Sequence, residues 1–229
     1  MDDSAPRLPA LAACLATVLG GSAVVATRFA VGEIDPGVLA FLRHLGAGTL
    51  ILLLAALILR RRLLQSIAAA DLPAILGLGA IQYAAFGWLF AAGLAYVPAA
   101  RGALAIATYP VQTLILAVVL GRERLTAAKA AGALIAVAGV ALALGDHAGA
   151  EGPEVWKGDA LLLGAAFLGS VYNVFSGPYF RRNSAIAVTG VQIVFGALLI
   201  LGGLWLSGVS LRTDGLTTNG WLALAWLIT

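Results

Sequence analysis

Charged and sulfur-containing residues are scarce in this 229-residue chain. Asp, Glu, Lys and Arg make up 11% of it, against about 25% in soluble domains. The formal net charge is only +3. The arginines stand at the ends of apolar runs and form no stripe interleaved with aromatics, which argues against a nucleic-acid partner. The single cysteine, Cys14, excludes a disulfide within the chain and a cysteine-based metal cluster.

The residue combinations that support catalysis are missing as well. The two histidines, His44 and His147, have no cysteine or carboxylate at metal-ligand spacing. The sequence contains no Ser-His-Asp set and no glycine-rich phosphate loop of the GxxxxGKS kind. We therefore expect no enzyme activity, no metal site and no cofactor in this chain.

Long apolar runs dominate the sequence instead. Apolar residues make up 61% of the chain, and the mean hydropathy is +0.98. The runs are apolar all round, whereas a helix of a soluble core has a polar face. About 20 such residues cross a hydrocarbon core of ~30 Å. The sequence predicts an all-α polytopic membrane protein with helices over 8–31, 37–59, 72–94, 102–120, 127–145, 158–176 and 185–206, and an eighth that begins near Asn219.

Basic residues in the short loops predict the orientation of these helices. Three of them, Arg101, Lys157 and Arg212, lie on one side of the predicted spans. The larger group on the other side marks the cytoplasmic face, because loops rich in Lys and Arg stay inside. We therefore expect a cytoplasmic N-terminus. The larger group consists of Arg7, Arg60, Arg61, Arg62, Arg122, Arg124, Lys129, Arg181 and Arg182.

The stretch from Tyr96 to Gly145 carries a family resemblance. A helix centred on Pro110, a Gly-Arg-Glu-Arg-Leu-Thr turn and a helix rich in glycine and alanine follow one another. This order resembles the end of an EamA repeat, from a family of the drug/metabolite transporter superfamily. Residues 39–43 (LAFLR) and 19–26 (LGGSAVVA) resemble the second and first helices of that repeat. The matching residues of the stretch are Thr108, Tyr109, Pro110, Gly121, Glu123, Arg124, Leu125, Thr126, Gly132, Ala138 and Gly139.

The resemblance covers residues 8–145 and continues more weakly to the end. It implies an inverted-repeat helical bundle of five plus five helices, of which about seven and a half are present here. Residues 1–145 would form the first repeat, 146–157 an outer linker loop and 158–229 a partial second repeat. The pairs Gly21-Ser22 and Gly169-Ser170 occupy like positions in the two units. On this comparison we expect the sequence to be truncated after Thr229.

Polar and aromatic residues inside the spans are the candidates for a solute site. A charge near mid-span costs at least about 2.5–3.5 kcal/mol. Arg43 therefore either faces an anionic group in a cavity or snorkels to the surface. Glu33 and Asp35 are nearby partners for either Arg43 or Arg28. Packing is the alternative for each aromatic, and a hydrogen bond between helices for each amide. We expect the substrate site to be lined by Arg43, Trp88, Tyr109, Gln112, Tyr172 and Asn173; other polar or aromatic residues of the spans are Gln82, Tyr83, Phe86, Phe90 and Gln192.

Two further features concern how the helices move and pack. Pro110 removes one helical hydrogen bond, which predicts a kink in the fourth helix that serves as a hinge, with simple packing as the alternative. Gly132, Ala136 and Gly139 give the fifth helix a small-residue face for close helix contact. In the related small multidrug pumps a comparable face joins two copies, so a seam between copies is a second interpretation. For Glu123 we expect capping or an ion pair with a neighbouring arginine.

The first helix carries no Asp or Glu between residues 8 and 31. The small multidrug pumps use an acidic residue there to exchange protons for cations, so that route is disfavoured. The resemblance implies a secondary transporter in a bacterial inner membrane that exports small metabolites, amino acids or similar compounds, by alternating access. Its partners would be a small-molecule solute and the lipid bilayer. The alternatives are an exporter of drugs and lipophilic compounds, and a non-transporting membrane scaffold or fragment.

Overall fold

The computed structural model describes residues 7–60, 66–145 and 152–229, and all regular structure in these ranges is helical. Five helical stretches are long and apolar enough to cross a membrane: Pro36–Leu59, Ala69–Tyr96, Ala99–Val119, Val155–Arg182 and Ala185–Leu206. The predicted helical polytopic membrane fold is confirmed. The helices are α1 (Arg7–Ala30), α2 (Pro36–Leu59), α3 (Leu72–Gly79), α4 (Phe86–Tyr96), α5 (Ala99–Ile106), α6 (Tyr109–Val119), α7 (Ala127–Gly145), α8 (Val155–Arg182), α9 (Ala185–Leu206) and α10 (Thr218–Ile228).

Several sequence expectations fall outside the described residues. They concern the arginines at 61 and 62, the loop at 146–151 with His147, and the side chain of Cys14.

The acidic residues before α2 act as helix caps. Asp35 accepts hydrogen bonds from the backbone N–H groups of Gly37 (2.8 Å) and Val38 (3.1 Å). Glu33 accepts from the backbone N–H and the hydroxyl of Thr217, at 3.0 and 2.8 Å, and so fixes the start of α10. The described residues show no ion pair of these carboxylates with Arg43 or Arg28, the expected partners, because both carboxylates instead accept hydrogen bonds at the starts of α2 and α10.

The third predicted helix contains an irregularity. A short 3₁₀ turn, Ala69–Asp71, leads into α3, and a π-helical turn, Ala80–Ala85, joins α3 to α4. The three pieces form one continuous rod, Ala69–Tyr96. Single π turns inside α-helices are rare and often stand at functional sites. This turn carries Gln82 and Tyr83.

The fourth predicted helix is broken, as the proline predicts. It consists of α5 and α6, with Ala107 and Thr108 between them, and Pro110 lies in the first turn of α6. At that position the missing N–H group costs nothing, since the first N–H groups of a helix have no partner within it. The break is therefore confirmed, and the hinge stays a prediction.

The charged turn after α6 ends that helix in a Schellman motif. Gly121 adopts a left-handed φ of 65°, and Arg122 N donates to Ala117 O at 2.8 Å, which is the pattern that favours glycine. Glu123 pairs with Lys129, in the first turn of α7, and not with Arg122 or Arg124. The side chain of Arg122 instead donates to the carbonyl of Val174 on α8.

α8 is longer than predicted at both ends. It begins at Val155, inside the expected linker 146–157, since Glu154 and Lys157 pair across its first turn at 2.5 Å. It continues through Pro178 to Arg182. A proline inside a helix removes one hydrogen bond, and a span in a bundle tolerates that loss.

The packing follows a regular exchange between the two halves of the chain. We number eight helical segments in chain order, counting α3, the π turn and α4 as segment 3 and α5 with α6 as segment 4. Segment 2 packs along segment 7, segment 3 along segment 6, and segment 1 along segment 8. Segment 2 also contacts segment 8, and segment 3 contacts segment 7. If segments 1, 2 and 3 are exchanged with segments 6, 7 and 8, each of these five contacts becomes either itself or another of the five.

Two apolar clusters form the core. One surrounds α2 and includes Leu39, Ala197 and Leu224; the other joins α4, α5 and α8 through Leu94 and Leu162. Large apolar side chains also cover the outside of the bundle, as expected for a surface that faces lipid. Examples are Leu57, Leu198, Trp205 and Leu222.

Candidate functional site

Five polar side chains meet where the two halves of the chain pack together. His44 comes from α2, Tyr83 from the π-helical turn, Tyr109 from the start of α6, Tyr172 from α8 and Gln192 from α9. We call them the central polar cluster. His44 and Gln192 are buried, whereas the three tyrosines are half-buried and keep accessible surface. The cluster therefore combines buried hydrogen-bonding groups with aromatic rings that keep some accessible surface.

Aromatic contacts run through the cluster in a chain. The rings of His44 and Tyr83 meet edge to face with centroids 5.9 Å apart, and those of Tyr83 and Tyr172 with centroids 6.2 Å apart. Such edge-to-face pairs are favoured by the ring quadrupoles. The phenol groups of Tyr83, Tyr109 and Tyr172 are also close enough to interact electrostatically.

Gln192 ties three helical segments together. Its Nε2 donates to the carbonyl of Ile75 on α3 at 3.0 Å, and its Oε1 accepts from the hydroxyl of Tyr172 on α8 at 3.0 Å. The side chain is 1% exposed. A buried amide with both ends satisfied holds its neighbours in a defined geometry.

Tyr109 lies against a glycine of α8. Its hydroxyl donates to Gly169 O at 3.0 Å, and Ser170 Oγ donates to Tyr109 O at 3.2 Å. A Cβ atom at position 169 would lie 2.2 Å from Cε2 of the tyrosine ring. Only glycine leaves room for the ring there. The Gly169-Ser170 pair thus forms the surface against which Tyr109 packs and hydrogen-bonds.

Other glycines bring His44 and Tyr83 into the interior. A Cβ at Gly87 would lie 2.5 Å from Cε1 of His44, and a Cβ at Gly196 would lie 2.5 Å from Cβ of Tyr83. The backbone of α4 therefore approaches the ring of His44 directly, and the backbone of α9 approaches that of the π-helical turn at Tyr83.

The structure brings together some of the predicted site residues and separates others. Tyr109 and Tyr172 belong to the central polar cluster. Arg43 precedes His44 on α2, is half-buried and interacts with it electrostatically. Among the described residues it has no hydrogen-bond or ion-pair partner.

The other three predicted lining residues lie elsewhere. Trp88 is 47% exposed and lines a separate crevice of about 420 Å³ between the π-helical turn, α4 and α9. Gln112 donates to Thr108 Oγ1 of its own segment at 2.9 Å and lines a small apolar pocket. Asn173 is exposed on α8. None of the three is among the contacts of the cluster.

Sequence reasoning missed part of this site. His44 was considered only as a metal ligand, and Tyr83 and Gln192 were noted without being selected. The available signal was their polarity within an apolar span, reinforced by glycines on the facing helices. Gln82 is a further polar residue of this kind, and its Oε1 is buried without a hydrogen-bond partner among the described residues.

Polar ties join the two halves of the chain at both ends of α8. Near its start, Arg101 of α5 forms a bidentate ion pair with Asp159, with N–O distances of 2.7 and 2.9 Å. Beyond its end, Asn183 Nδ2 donates to Asp71 Oδ2 at 2.8 Å, and Arg182 pairs with the same carboxylate at 3.1 Å. At 1.5 Å per residue the two ties are about 35 Å apart, so they close opposite ends of the bundle.

The small-residue face of α7 has no partner within the described part of the chain. Gly132, Ala136 and Gly139 are exposed, and a Cβ at either glycine would meet nothing within 4 Å. The seam between copies stays a prediction. No group of three or more His, Cys, Asp or Glu that could hold a metal ion occurs in residues 7–60, 66–145 and 152–229.

Comparison with known proteins gives a consistent result. Residues 7–145 match the EamA-like transporter family. A probable terminal-alkyne amino-acid exporter of Streptantibioticus cattleyicolor is 33% identical over 135 residues, which cover 58% of this chain and 44% of the exporter. An uncharacterized transporter of Archaeoglobus fulgidus is 26% identical over 184 residues, 80% of this chain and 63% of that transporter. The chain thus spans less than two thirds of either relative.

A solved structure supports the fold. It superposes with a TM-score of 0.64 at 24% sequence identity, covers 93% of this chain and is itself covered to 74%. The family match extends over more than half of the chain and includes three of the five residues of the central polar cluster, His44, Tyr83 and Tyr109. The chain belongs to the EamA-like transporter family.

Proposed function

We propose that this chain is a secondary transporter, or the greater part of one, which exports amino acids or similar small metabolites from a bacterial cell. The observation that carries the proposal is the central polar cluster, in which aromatic rings and a few fixed polar groups converge inside an apolar bundle. That composition is the usual lining of a site for a small organic solute. The name of the relative from Streptantibioticus cattleyicolor, 33% identical to this chain, favours amino acids.

The mechanism we propose is alternating access between two repeats of inverted topology. Its support is the exchange pattern of the packing, in which the contacts 2–7, 3–6, 1–8, 2–8 and 3–7 recur when segments five apart are exchanged. Five-helix units place their first helices in opposite orientations, which is the plan of many secondary transporters. The cluster lies at the junction of the two units, at residues 1–145 and 158–229 in our assignment.

In this scheme the two end ties open in turn. With the N-terminus in the cytoplasm, the Arg101–Asp159 pair lies on the outer side and the Asp71–Asn183 contact on the inner side. Opening of one end requires its own tie to separate while the other holds. The break before Pro110 lets α5 turn without α6, which is why we assign it as the hinge.

An efflux assay tests the proposal. Cells that express the chain, and cells that express the whole product of its gene, are loaded with labelled leucine or L-propargylglycine, an amino acid with a terminal alkyne. We expect faster loss of label than from cells without the gene. Tyr172→Phe and Arg43→Ala should slow it. Equal retention in all cells would contradict the transporter proposal and favour a membrane scaffold or fragment.

An exporter of lipophilic compounds is the second candidate, and one observation favours it. The crevice lined by Trp88, Leu199 and Leu204 has about 420 Å³ and is mostly apolar, within the size range of small-molecule pockets. Efflux of ethidium that is lost in Trp88→Ala and kept in Tyr172→Phe would support this function over amino-acid export.

A further inference from the structure

We propose that Arg122 holds a flexible joint in α8 closed. Its guanidinium donates to a backbone carbonyl that Pro178 leaves without a helical partner, and it thereby fixes the end of this helix. We call the contact of Arg122 with Val174 and Phe175 the latch. It joins the turn after α6, in the first unit of our assignment, to the second unit, and it goes beyond the proposed transport function.

The joint lies where α8 passes through Pro178. In an α-helix the N–H group of each residue bonds the carbonyl four residues earlier. Proline has no N–H group, so the carbonyl of Val174 loses its partner within α8. Val174 is half-buried, and a polar group left unpaired away from water is unfavourable. The helix is therefore weakened at this point, and its carbonyl needs another donor.

The side chain of Arg122 supplies that donor. Its Nη1 donates to the oxygen of Val174, the carbonyl four residues before the proline. Its Cζ also lies 4.3 Å from the centroid of the Phe175 ring, a distance at which the ring face attracts a guanidinium. A planar guanidinium can stack on a ring and donate hydrogen bonds at the same time. Two neighbouring residues of α8 thus hold one cation at the place where the helix lacks a donor.

The backbone of Arg122 is fixed as well. It belongs to the Schellman turn at the end of α6, in which Gly121 has a left-handed φ. The other end of α6 is held by Tyr109, whose hydroxyl donates to Gly169 O. α6 is therefore attached to α8 at both of its ends, and both contacts precede Pro178 along α8.

A second contact holds α8 on the other side of the proline. Asn183, the residue after α8, donates to Asp71 at the start of α3. Two parts of the first unit thus contact α8 before and after the joint, and together they set the angle between its two pieces. In our orientation this is the cytoplasmic end, so under the proposed transport function the latch parts when the inner side opens.

A double-variant cycle tests the latch. Arg122→Ala removes the donor, and Pro178→Ala restores a backbone N–H group that can bond the carbonyl of Val174. Unfolding is measured with SDS in mixed micelles. We expect Arg122→Ala to raise the unfolding equilibrium constant at least about twentyfold, because a hydrogen bond from a charged donor and a cation–π contact are both lost. In the Pro178→Ala background the rise should be only about two- to fivefold, since the contact with Phe175 alone remains to be lost.

A distance measurement tests whether the latch fixes the joint. Spin labels at Leu163→Cys and Arg181→Cys, with Cys14→Ala, lie on the two sides of the proline, about 27 Å apart along the helix. We expect Arg122→Ala to broaden the distribution of this distance, because a helix bends most easily at a proline. Pro178→Ala in the same chain should narrow it again.

Arg124→Ala is the matched control for both measurements. It removes an exposed arginine of the same turn that has no hydrogen bond or ion pair to α8 in the described part of the chain. We expect it to change neither the unfolding equilibrium constant nor the distance distribution.

Each contrary result overturns the inference. Equal effects of Arg122→Ala in the two backgrounds would mean that the guanidinium does not replace the missing N–H group. Effects no larger than those of Arg124→Ala, or an unchanged distance distribution, would mean that it does not hold the joint. If Arg122→Ala alone does not fold, recovery by Pro178→Ala supports the latch, and continued failure overturns it. Neither measurement uses transport, so a failed efflux assay leaves the latch standing.

Discussion

Replacement of Gly169 by alanine tests whether the packing of Tyr109 against α8 requires a glycine at this position. The added Cβ would lie 2.2 Å from Cε2 and 3.1 Å from Cζ of the ring, whereas non-bonded carbons prefer about 3.5–4.0 Å. The ring must therefore move by more than about 1 Å. Its hydroxyl is held by Gly169 O, so the movement also breaks that hydrogen bond.

The expected cost follows from three contributions. Overpacking costs about 1–3 kcal/mol, and the lost hydrogen bond about 0.5–1.5 kcal/mol. The alanine returns up to about 1 kcal/mol through its higher helix propensity. Gly169→Ala should therefore lower the free energy of unfolding by about 0.5–4.5 kcal/mol.

Unfolding by SDS in mixed micelles, followed by tryptophan fluorescence, measures this change. Gly164→Ala is the control on the same helix, because a Cβ there would have only Leu89 Cδ1 nearby, at 4.0 Å; we expect it to be neutral or to stabilise by up to about 1 kcal/mol. Tyr109→Ala should make Gly169→Ala nearly harmless in the double variant. Equal effects of the two glycine replacements would refute the reasoning.

Three further predictions concern other polar contacts of the bundle. Replacing Arg101 and Asp159 by alanine singly and together should give a coupling energy of about 1–2 kcal/mol in the same unfolding assay. This is more than the coupling energy of an exposed ion pair, because the pair is bidentate and half-buried. Additive effects of the two replacements would contradict this. Asp71→Ala should cost about 1.5–3 kcal/mol because Asn183 loses a charged acceptor, and an unchanged unfolding midpoint would show that the contact contributes nothing. Tyr172→Phe should cost about 1–3 kcal/mol, because it leaves a buried amide oxygen without its donor; a neutral result would place water in that position.

The positions of the helices were predictable because hydropathy alone determines them. Each apolar run of the sequence corresponds to a helical segment, and the break before Pro110 followed from the missing N–H group. The π-helical turn was not predictable: its residues, AIQYAA, have no property that separates them from an ordinary helix. It changes which side chains of its rod face the interior, and so it decides the position of Tyr83.

The candidate site was predictable only in part for a related reason. A helix that is apolar all round has no polar face to indicate which side is buried. Tyr109 and Tyr172 were identified, but Asn173 was chosen with Tyr172 although the next residue of a helix points about 100° away. The close approach of Gly87 to His44 required coordinates, since it depends on contacts between helices distant in sequence.

During synthesis, α2 cannot pack against α9 until the ribosome has made α9. Gly48 of α2 fits against Val194 of α9, 146 residues later in the chain. At about 5–20 residues per second the ribosome needs about 7–30 s to bridge that distance. Throughout this interval the surface of α2 around Gly48 lacks the helix that covers it. The membrane insertion machinery must hold α2 for that time, or lipid covers a surface meant for protein.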